Sequence, residues 1–385
     1  MYSTKLEIKF FGNESNKKRQ LNKIEILKKN INNFKIFLII AGTNTSQIPG
    51  ISAAGINPKS RRITALADAE FLLKGASKEH KYKLPLLNAG VTPALISHVC
   101  SKLINIYPVI IPLGITVKPY FNHLVVEERD LGPSNCLTTG KSMSKERVIN
   151  LYERGLAIGK SSKQPILISE SVPGGTTTAQ AVMEAFGLPV SNLVGSSLFK
   201  VPRQLRRKVV KKGLLNANLK TDFDSFDVVA SVGDPFQAFS MGLLIGARLA
   251  SQPVILSGGS QMLAVILLVL ELLSAKDKDD FIEDVFIATT GWLVKDNSLN
   301  DLLNLINEKY EIKLLGLASP LNFKSSIYKE LKDYEIGHVK EGVGAGGISI
   351  LAFLNGFKNQ EIVSLCQQNL EMMKSLGQIS LEKDC

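Results

Sequence analysis

Residues 165–186 read PILISESVPGGTTTAQAVMEAF. The segment Pro165–Ser169 is a short apolar run, which is typical of a buried β-strand. The segment Thr177–Phe186 carries apolar residues at helical spacing and predicts an α-helix. A strand, a glycine-containing loop and a helix in this order are half of a βαβ unit, so the stretch predicts an α/β fold.

The loop between this strand and helix predicts an anion site. Gly174 and Gly175 let the backbone approach a ligand closely. Thr176 and Thr177 add hydroxyl donors at the helix start, where free N–H groups favour a phosphate. No Gly-Lys-Ser/Thr follows, so the loop is not a nucleoside triphosphate site of the Walker type. Glu170 stands at the edge of the loop, where it can contact a ribose hydroxyl or a base or be a surface acid.

The rest of the chain repeats this alternation of short apolar runs with longer helical patterns. It therefore predicts an α/β fold with a doubly wound, mostly parallel sheet and flanking helices. The predicted strands are Ile36–Ala41, Leu84–Leu87, Val109–Leu113, Pro165–Ser169, Val190–Val194, Val228–Val232, Pro253–Ser257, Val285–Thr289 and Leu314–Ala318. The predicted helices are Ile63–Lys74, Thr92–Ile106, Lys145–Lys160, Thr177–Phe186, Arg203–Leu215, Pro235–Ala250, Gln261–Leu273, Leu299–Glu308, Ser349–Asn355 and Glu361–Leu376.

The two ends of the chain differ from its middle. Residues 1–35 and 356–385 are polar and predict helical segments that pack on the main domain. Residues 36–355 are assigned to one α/β domain. The terminal segments then form a small helical part.

Small residues follow five of the predicted strands. These positions begin at Ser171, Gly195, Gly233, Gly258 and Thr290. Open parallel sheets bind ligands beyond the carboxyl ends of their strands. The pattern predicts a wide site lined by backbone, although turns that follow strands often need glycine in any case.

A second glycine-rich segment, HVKEGVGAGG at 338–347, contains a candidate general base. Gly342, Gly344 and Gly347 match G-x-G-x-x-G, but no acid follows about 20 residues later and the preceding strand is weak. A nicotinamide-dinucleotide oxidoreductase is therefore disfavoured. Glu341 directly precedes the glycines, with His338 and Lys340 nearby, and can either accept a proton or cap the helix.

One competing motif belongs to another class of transferase. Glu127 and Glu128 follow an apolar run, and a Thr-Thr-Gly loop comes later at 138–140. Diphosphate-dependent phosphoribosyltransferases place two such acids and such a loop within one short segment. Here nine residues, 129–137, separate the acids from the loop, which argues against that site.

Composition excludes several further classes. With 385 residues, 45% of them hydrophobic and 21% charged, the chain is a globular protein that can bury a large core. Its longest apolar run, Met262–Leu270, is far shorter than the roughly 18 residues of a membrane span. The net charge of +11 includes a basic stretch at 200–220, which suits a small anionic substrate. Since no nucleic-acid-binding motif accompanies it, we expect no nucleic-acid and no membrane partner.

The four cysteines indicate a cytoplasmic protein. They form no C-x-x-C pair and complete no zinc spacing with the histidines, so they are expected to be reduced thiols. We expect neither a metal nor a cofactor. The cysteines are Cys100, Cys136, Cys366 and Cys385.

Taken in order, the motifs resemble one family, the nicotinate-nucleotide–dimethylbenzimidazole phosphoribosyltransferases of cobalamin lower-ligand assembly. The similarity extends over about residues 40–360. The segments that carry it are INPKSRRITALADAEFL (56–72), SESVPGGTTTA (169–179), LRRKVVKKG (205–213), VGDPFQAFSMGLLIGARLASQPVILSGGS (232–260), TTGWL (289–293) and HVKEGVGAGG (338–347).

The resemblance implies roles for particular residues. Glu341 matches the family's catalytic base, and Lys208 matches a lysine that assists the nucleotide phosphate. The remaining implied phosphate and ribose contacts are Glu170, Gly174, Gly175, Thr176, Thr177, Gly195, Gly342 and Gly344. The segments expected to contact the benzimidazole, 42–62 and 84–90, match the family poorly.

The resemblance also implies an activity. The substrates would be nicotinate mononucleotide and a benzimidazole-like base, and the products an α-ribazole phosphate type nucleotide and nicotinate. Family members are homodimers, so we expect a homodimer, with 235–250 and 261–273 offering apolar surface for the core or for that contact. The alternative is a catalytically inactive sensor or carrier that binds a nucleotide in the same crevice.

Overall fold

The computed structural model describes residues 8–12, 17–52, 54–55, 57–85, 87, 89–195 and 201–379. Lys200 and Cys385 therefore lie outside the described residues. Within these ranges, seven strands form one sheet: β1 (Lys9–Phe11), β2 (Lys35–Ala41), β3 (Val109–Leu113), β4 (Ile166–Ser171), β5 (Val254–Ser257), β6 (Val285–Thr290) and β7 (Leu315–Ser319).

The sheet is mostly parallel, as predicted. Its strand order is β1-β7-β6-β5-β4-β2-β3, and every neighbouring pair from β7 to β3 is parallel. Strand β1, which was not predicted, pairs antiparallel with β7 at one edge. The carboxyl ends of the parallel strands therefore meet at one edge of the sheet, where ligands bind in such folds.

Helices cover both faces of this sheet. Within the described ranges they are α1 (Lys17–Lys29), α2 (Pro58–Lys74), α3 (Ala94–Ile104), α4 (Lys145–Lys160), α5 (Gly175–Ala185), α6 (Arg203–Ala217), α7 (Ser225–Val232), α8 (Pro235–Leu249), α9 (Ser260–Leu272), α10 (Lys278–Ile282), α11 (Ser298–Tyr310), α12 (Lys329–Lys332), α13 (Ala345–Leu354) and α14 (Asn359–Ser375).

The core lies on both sides of the sheet because side chains alternate along each strand. In β2, Phe37 and Ile39 join the core beneath α5, α8 and α9, whereas Ile36 and Leu38 join the core beneath α2, α3 and α13. Both sets are fully buried. This explains why the central strands read as continuous apolar runs. The predicted doubly wound α/β fold is confirmed.

Three predicted strands are wrong. Residues 228–232 belong to helix α7, which Asp224 caps by accepting a hydrogen bond from the Asp227 N–H at 2.8 Å. A five-residue apolar run does not by itself distinguish a strand from a buried helix. Residues 190–194 form a turn, with Val194 N–H bonded to Val190 O.

In the third segment, residues 84, 85 and 87 are not in a strand, and Leu86 lies outside the described residues. Pro85 lacks the N–H that a sheet ladder needs.

The terminal segments contact the main body. Lys9 of β1 pairs with Ala318, and buried side chains of α14 such as Cys366 and Leu370 share a core with α3. The division at residues 36 and 355 remains a prediction. No helix in the described part of the chain is both long and apolar enough to cross a membrane.

Candidate functional site

One large cavity of about 650 Å³ lies at the carboxyl ends of β4 and β5. Helix α2 forms one wall. Other walls come from the segment that joins β4 to α5, from the start of α9 and from residues 338–343. The lining residues include Arg61, Thr64, Asp68, Thr92, Glu170, Ser171, Pro173, Gly174, Thr176, Gly195, Ser260, Gln261, His338, Lys340, Glu341 and Gly342.

Three helices begin at this cavity. Strand β4 leads into α5 through Gly174, and β5 leads into α9 through Gly259. Helix α13 begins after Gly344, directly beyond the cavity-lining Gly342. The first N–H groups of a helix have no intrahelical acceptor and carry partial positive charge. At α13 these N–H groups already donate to Glu341 Oε1 and to Ser257 Oγ, so the cavity can stabilise a bound anion at the starts of α5 and α9.

Glu341 has a carboxylate held by four hydrogen bonds. Its Oε2 accepts from Thr289 Oγ1 at 2.9 Å and from the Thr290 N–H at 2.6 Å. Its Oε1 accepts from the N–H groups of Gly342 at 3.0 Å and Gly346 at 3.1 Å. These donors fix the carboxylate in the cavity wall between the end of β6 and the start of α13.

Two opposing effects set the proton affinity of Glu341. Burial raises the pKa of the carboxyl, and the hydrogen bonds from Gly342 and Gly346 oppose that rise by favouring the anion. A carboxylate with a raised pKa is a stronger base than a surface carboxylate. The raised pKa therefore favours proton acceptance, and a proton taken from a ligand would replace one of the four hydrogen bonds that the carboxylate accepts.

The backbone on both sides of Glu341 is strained. Val339, Lys340 and Val343 have φ values of 63°, 54° and 55°, which are unusual for residues other than glycine and most unusual for valine. Tertiary hydrogen bonds compensate, because Val343 N–H donates to Glu170 O at 3.0 Å and Ser97 Oγ donates to Val343 O at 2.8 Å. Such conformations cost on the order of 1–3 kcal/mol each and cluster at functional sites.

Two further carboxyl groups, Glu170 and Asp68, line the same cavity. Burial raises the pKa of Glu170 to about 8; the Val172 N–H opposes this, while neighbouring acids, first Asp234, add to it. Burial also raises the pKa of Asp68 to about 6, although Thr92 and Ser171 each donate a hydrogen bond to it at 2.8 Å. Glu170 is therefore mainly protonated at neutral pH and can donate a hydrogen bond to a ligand.

Asp234 lies in the core behind the cavity wall and connects two of the helices that form the wall. It is fully buried and accepts hydrogen bonds from Thr178 Oγ1 and from Gln261 Nε2, the latter at 2.9 Å. Thr178 lies in α5 and Gln261 in α9, so one carboxylate ties together the first turns of both helices.

The prediction that five strands in a row end at the site is wrong at two positions. Gly233 follows helix α7, and Gly195 follows the turn at 190–194, so neither residue follows a strand.

The structure brings most of the predicted site residues to this cavity. Those that line it are Glu170, Gly174, Thr176, Gly195, Glu341 and Gly342. Gly175, Thr177 and Gly344 are buried and are not among the described residues that line it. Lys208 is exposed on α6 and is likewise not among those lining residues.

Sequence reasoning did not single out the wall formed by α2, although Arg61 lies in the segment 42–62 that the family resemblance assigns to contact with the base. Arg61, Thr64 and Asp68 lie at positions i, i+3 and i+7 of this helix, so they share the face that lines the cavity. The sequence shows this spacing, but polar residues on one face of a helix ordinarily indicate the face that is exposed to solvent. Within the described ranges, no group of three or more His, Cys, Asp or Glu side chains could hold a metal ion.

The pKa of Glu170 gives a testable dependence of stability on pH. Between pH 4.5 and about 8 the unfolded carboxyl is ionised while the folded carboxyl keeps its proton, so stability falls as pH rises. Glu170→Gln removes this effect. The melting temperature of the variant relative to the parent is expected to rise by several degrees across that window and to level off above it.

Asp68→Asn is the internal comparison for this experiment. The melting temperature of Asp68→Asn relative to the parent is expected to level off near pH 6, because the pKa of Asp68 in the folded protein is lower than that of Glu170. Thermal denaturation of the parent and both variants from pH 4 to 9 measures both curves. If the melting temperature of Glu170→Gln differs from that of the parent by the same amount at every pH, the raised pKa of Glu170 is contradicted.

Comparisons with known proteins agree with this architecture. A family model described as "Phosphoribosyltransferase" matches residues 35–277. The UPF0284 protein of Prochlorococcus marinus (strain MIT 9312) is 89% identical over 385 residues and covers 100% of both chains. The UPF0284 protein of Parasynechococcus marenigrum (strain WH8102) is 42% identical over 347 residues, which cover 88% of this chain and 87% of that protein.

Two solved structures from Thermus thermophilus have a similar fold. One is a nicotinate-nucleotide-dimethylbenzimidazole phosphoribosyltransferase, with a TM-score of 0.57 and 15% sequence identity over 92% of both chains. The other is CobT, with a TM-score of 0.58 and 16% identity, again over 92% of both chains.

Fold and site together define an α/β protein with a ligand cavity at the carboxyl edge of a mostly parallel sheet. The match over residues 35–277 then shows that the chain belongs to the phosphoribosyltransferase family. The family resemblance predicted from the sequence is confirmed, and so is the fold.

Proposed function

We propose that this protein transfers the 5-phosphoribosyl group of nicotinate mononucleotide to a benzimidazole-like base. The products are an α-ribazole phosphate type nucleotide and nicotinate, and the reaction serves cobalamin lower-ligand assembly. The proposal takes its substrates from the printed name of the Thermus thermophilus enzyme that shares the fold. The proposed proton transfer is argued from the carboxyl groups that line the cavity.

The observation that carries the proposal is the position of Glu341. Its carboxylate is fixed by four donors in the wall of the cavity that also contains the start of α5. A phosphate at Gly174 and Thr176 would anchor a mononucleotide, and a base bound in the same cavity could reach Glu341. An inactive nucleotide carrier would have no use for such an oriented base.

The chemistry needs one proton acceptor. The pyridinium of nicotinate mononucleotide is already a good leaving group, so the C1′–N bond can break without a strong acid. The unprotonated ring nitrogen of the acceptor base attacks C1′, the C1′–N bond to the pyridinium breaks and releases nicotinate, and the N–H proton of the other ring nitrogen passes to Glu341. General base catalysis of this kind typically contributes about 10²–10⁴-fold, and fixing the two reactants adds an orientation effect.

Protonated Glu170 has a separate role in this scheme. Since its pKa is raised to about 8, it carries a proton at neutral pH and can donate a hydrogen bond to a ribose hydroxyl or to the acceptor base. A neutral carboxyl there also avoids repulsion between a carboxylate and the substrate phosphate.

The direct test is release of nicotinate. The protein is incubated with nicotinate mononucleotide and a panel of benzimidazoles and purines, and nicotinate and the new nucleotide are measured by chromatography. Release that depends on one of the bases supports the proposal. Binding of the mononucleotide without release under any base would favour a sensor or carrier instead.

We also propose that the protein is a homodimer in the cytoplasm. Helices α8 and α9 are almost entirely buried in the core and leave little surface for a partner. A contact would instead use the exposed apolar side chains near the edge strand β3, which are Tyr107, Val117, Tyr120, Leu124, Val125 and Leu131.

Light scattering at micromolar concentration is expected to give twice the chain mass of 42.0 kDa. Val125→Glu, which places a charge in this apolar region, is expected to shift the mass toward that of one chain. A parent protein that scatters as a single chain would reject the dimer.

A further inference from the structure

Arg61 is a buried cation in the wall of the cavity. Its side chain lies on α2, and the residue is only 5% exposed. Nη1 donates to Gly55 O at 3.1 Å and Nη2 to Gln47 O at 3.4 Å, while Nε is buried without a hydrogen-bond partner. In the described part of the chain, no carboxylate forms an ion pair with this guanidinium.

A buried charge without a counter-ion is costly, because burial removes its water and hydrogen bonds to two backbone carbonyls replace only part of the lost interaction. Lys340, another cation in the cavity wall, differs in this respect, since its Nζ lies 3.6 Å from an Asp296 carboxylate oxygen. A guanidinium that lines a ligand cavity and lacks a counter-ion is suited to an anionic group of the ligand.

Arg61 lies beside the start of α5. It lines a small adjoining hollow together with Ser46 and Pro173. Gly174, the N-cap of α5, packs against Ser46: a Cβ built on Gly174 would lie 2.9 Å from the Ser46 nitrogen. The guanidinium and the start of this eleven-residue helix, where the Thr176 N–H has no acceptor among the described residues, therefore border the same part of the cavity.

We propose that Arg61 binds the phosphate monoester of the substrate together with the first turn of α5. The proposal rests on the proposed function insofar as the substrate is a mononucleotide. A phosphate offers several oxygens, so it can accept hydrogen bonds from a planar guanidinium and from helix N–H groups at once. By holding the phosphate, Arg61 positions the ribose C1′ relative to Glu341.

The test compares Arg61→Gln with a matched control, Arg62→Gln. Arg62 is the next residue of the same helix, is exposed, and donates to Asn44 Oδ1 at 2.9 Å. The two variants lose the same charge, but only Arg61 lines the large cavity. Calorimetric titration and thermal shift are measured with ribose 5-phosphate, nicotinate mononucleotide and nicotinate riboside.

Arg61→Gln is expected to bind both phosphate-bearing probes about 10–100-fold more weakly, the effect of losing a hydrogen bond to a charged group. Its affinity for the riboside, which lacks the phosphate, is expected to be unchanged. The thermal shift that ribose 5-phosphate gives the parent should be largely lost in Arg61→Gln and kept in Arg62→Gln. Should Arg61→Gln not fold, Arg61→Lys is used, and an intermediate affinity is expected since the charge remains without the planar fork.

Equal weakening for the riboside and the mononucleotide would overturn the phosphate assignment, because it would place Arg61 at the pyridine carboxylate. Unchanged affinity for the phosphate probes, or no binding of ribose 5-phosphate by the parent, would overturn it as well. Ribose 5-phosphate carries no nicotinate. If it binds in an Arg61-dependent way while the parent releases no nicotinate with any base, the role of Arg61 stands and the proposed function fails.

Discussion

Glu341→Gln is expected to lower the turnover number about 10²–10⁴-fold while the affinity for nicotinate mononucleotide changes little. Glutamine keeps the shape of the side chain but cannot take the ring N–H proton of the attacking base. Stopped assays of nicotinate release at saturating base measure the rate, and calorimetric titration measures the affinity. The acid limb of the parent's pH–rate profile, which reflects ionisation of this carboxyl, should be absent from the variant.

Glu361→Gln is the control for this experiment. Glu361 only caps a helix, since its Oε2 accepts the Lys358 N–H at 2.8 Å at the start of α14. Glutamine keeps an oxygen that can accept this bond, so Glu361→Gln loses only the negative charge at the helix start, which costs about 0.3–1 kcal/mol of stability and leaves turnover unaffected. If Glu341→Gln behaves like Glu361→Gln, with a slightly lower melting temperature and a near-parent rate, Glu341 is a cap and the assigned mechanism is wrong.

Gly346→Ala is expected to destabilise the fold by about 3 kcal/mol or more, the upper range for overpacking in a core. A Cβ at this position would overlap the backbone of Thr289 and Thr290 at the end of β6. Helix α13 would have to move away from the sheet. Because the Gly346 N–H also donates to Glu341 Oε1, nicotinate release should fall as well. Urea denaturation and the release assay measure the two effects.

Gly195→Ala adds the same methyl group where there is room. The nearest atom to a Cβ at Gly195 is Leu293 Cδ1 at 3.8 Å, an ordinary contact distance. Its free energy of unfolding is expected to stay within about 1 kcal/mol of the parent value. Equal stabilities for the two variants would show that α13 does not pack against β6 as closely as described.

The central strands could be predicted because burial on both faces leaves a continuous apolar run in the sequence. Strand β1 could not, since it is three residues long and its place depends on pairing with β7, at the far end of the chain. The segment 228–232 was mistaken for a strand because a short buried helix and a buried strand have the same composition. The capping box formed by Asp224 and Asp227 marks this segment as a helix.

Within the candidate site, residues carried by glycine-rich motifs were predictable. Glu341 and Gly174 adjoin helix starts, and glycine there is a local signal of close backbone approach. Arg61 and Asp68 carried no such signal. The roles of Arg61 and Asp68 depend on how deeply the side chains are buried and on which groups surround them. Both features result from packing between elements that are distant in sequence.

The sequence by itself determined the α/β class, the central parallel strands and the glycine-rich loops that end at the site. These follow from local hydrophobic periodicity and from backbone conformations that few residues can adopt. Only the tertiary structure decided which charged side chains face the cavity. A guanidinium without a counter-ion at Arg61, a proton retained at Glu170 and four donors around Glu341 are all consequences of desolvation and of neighbours brought together by folding.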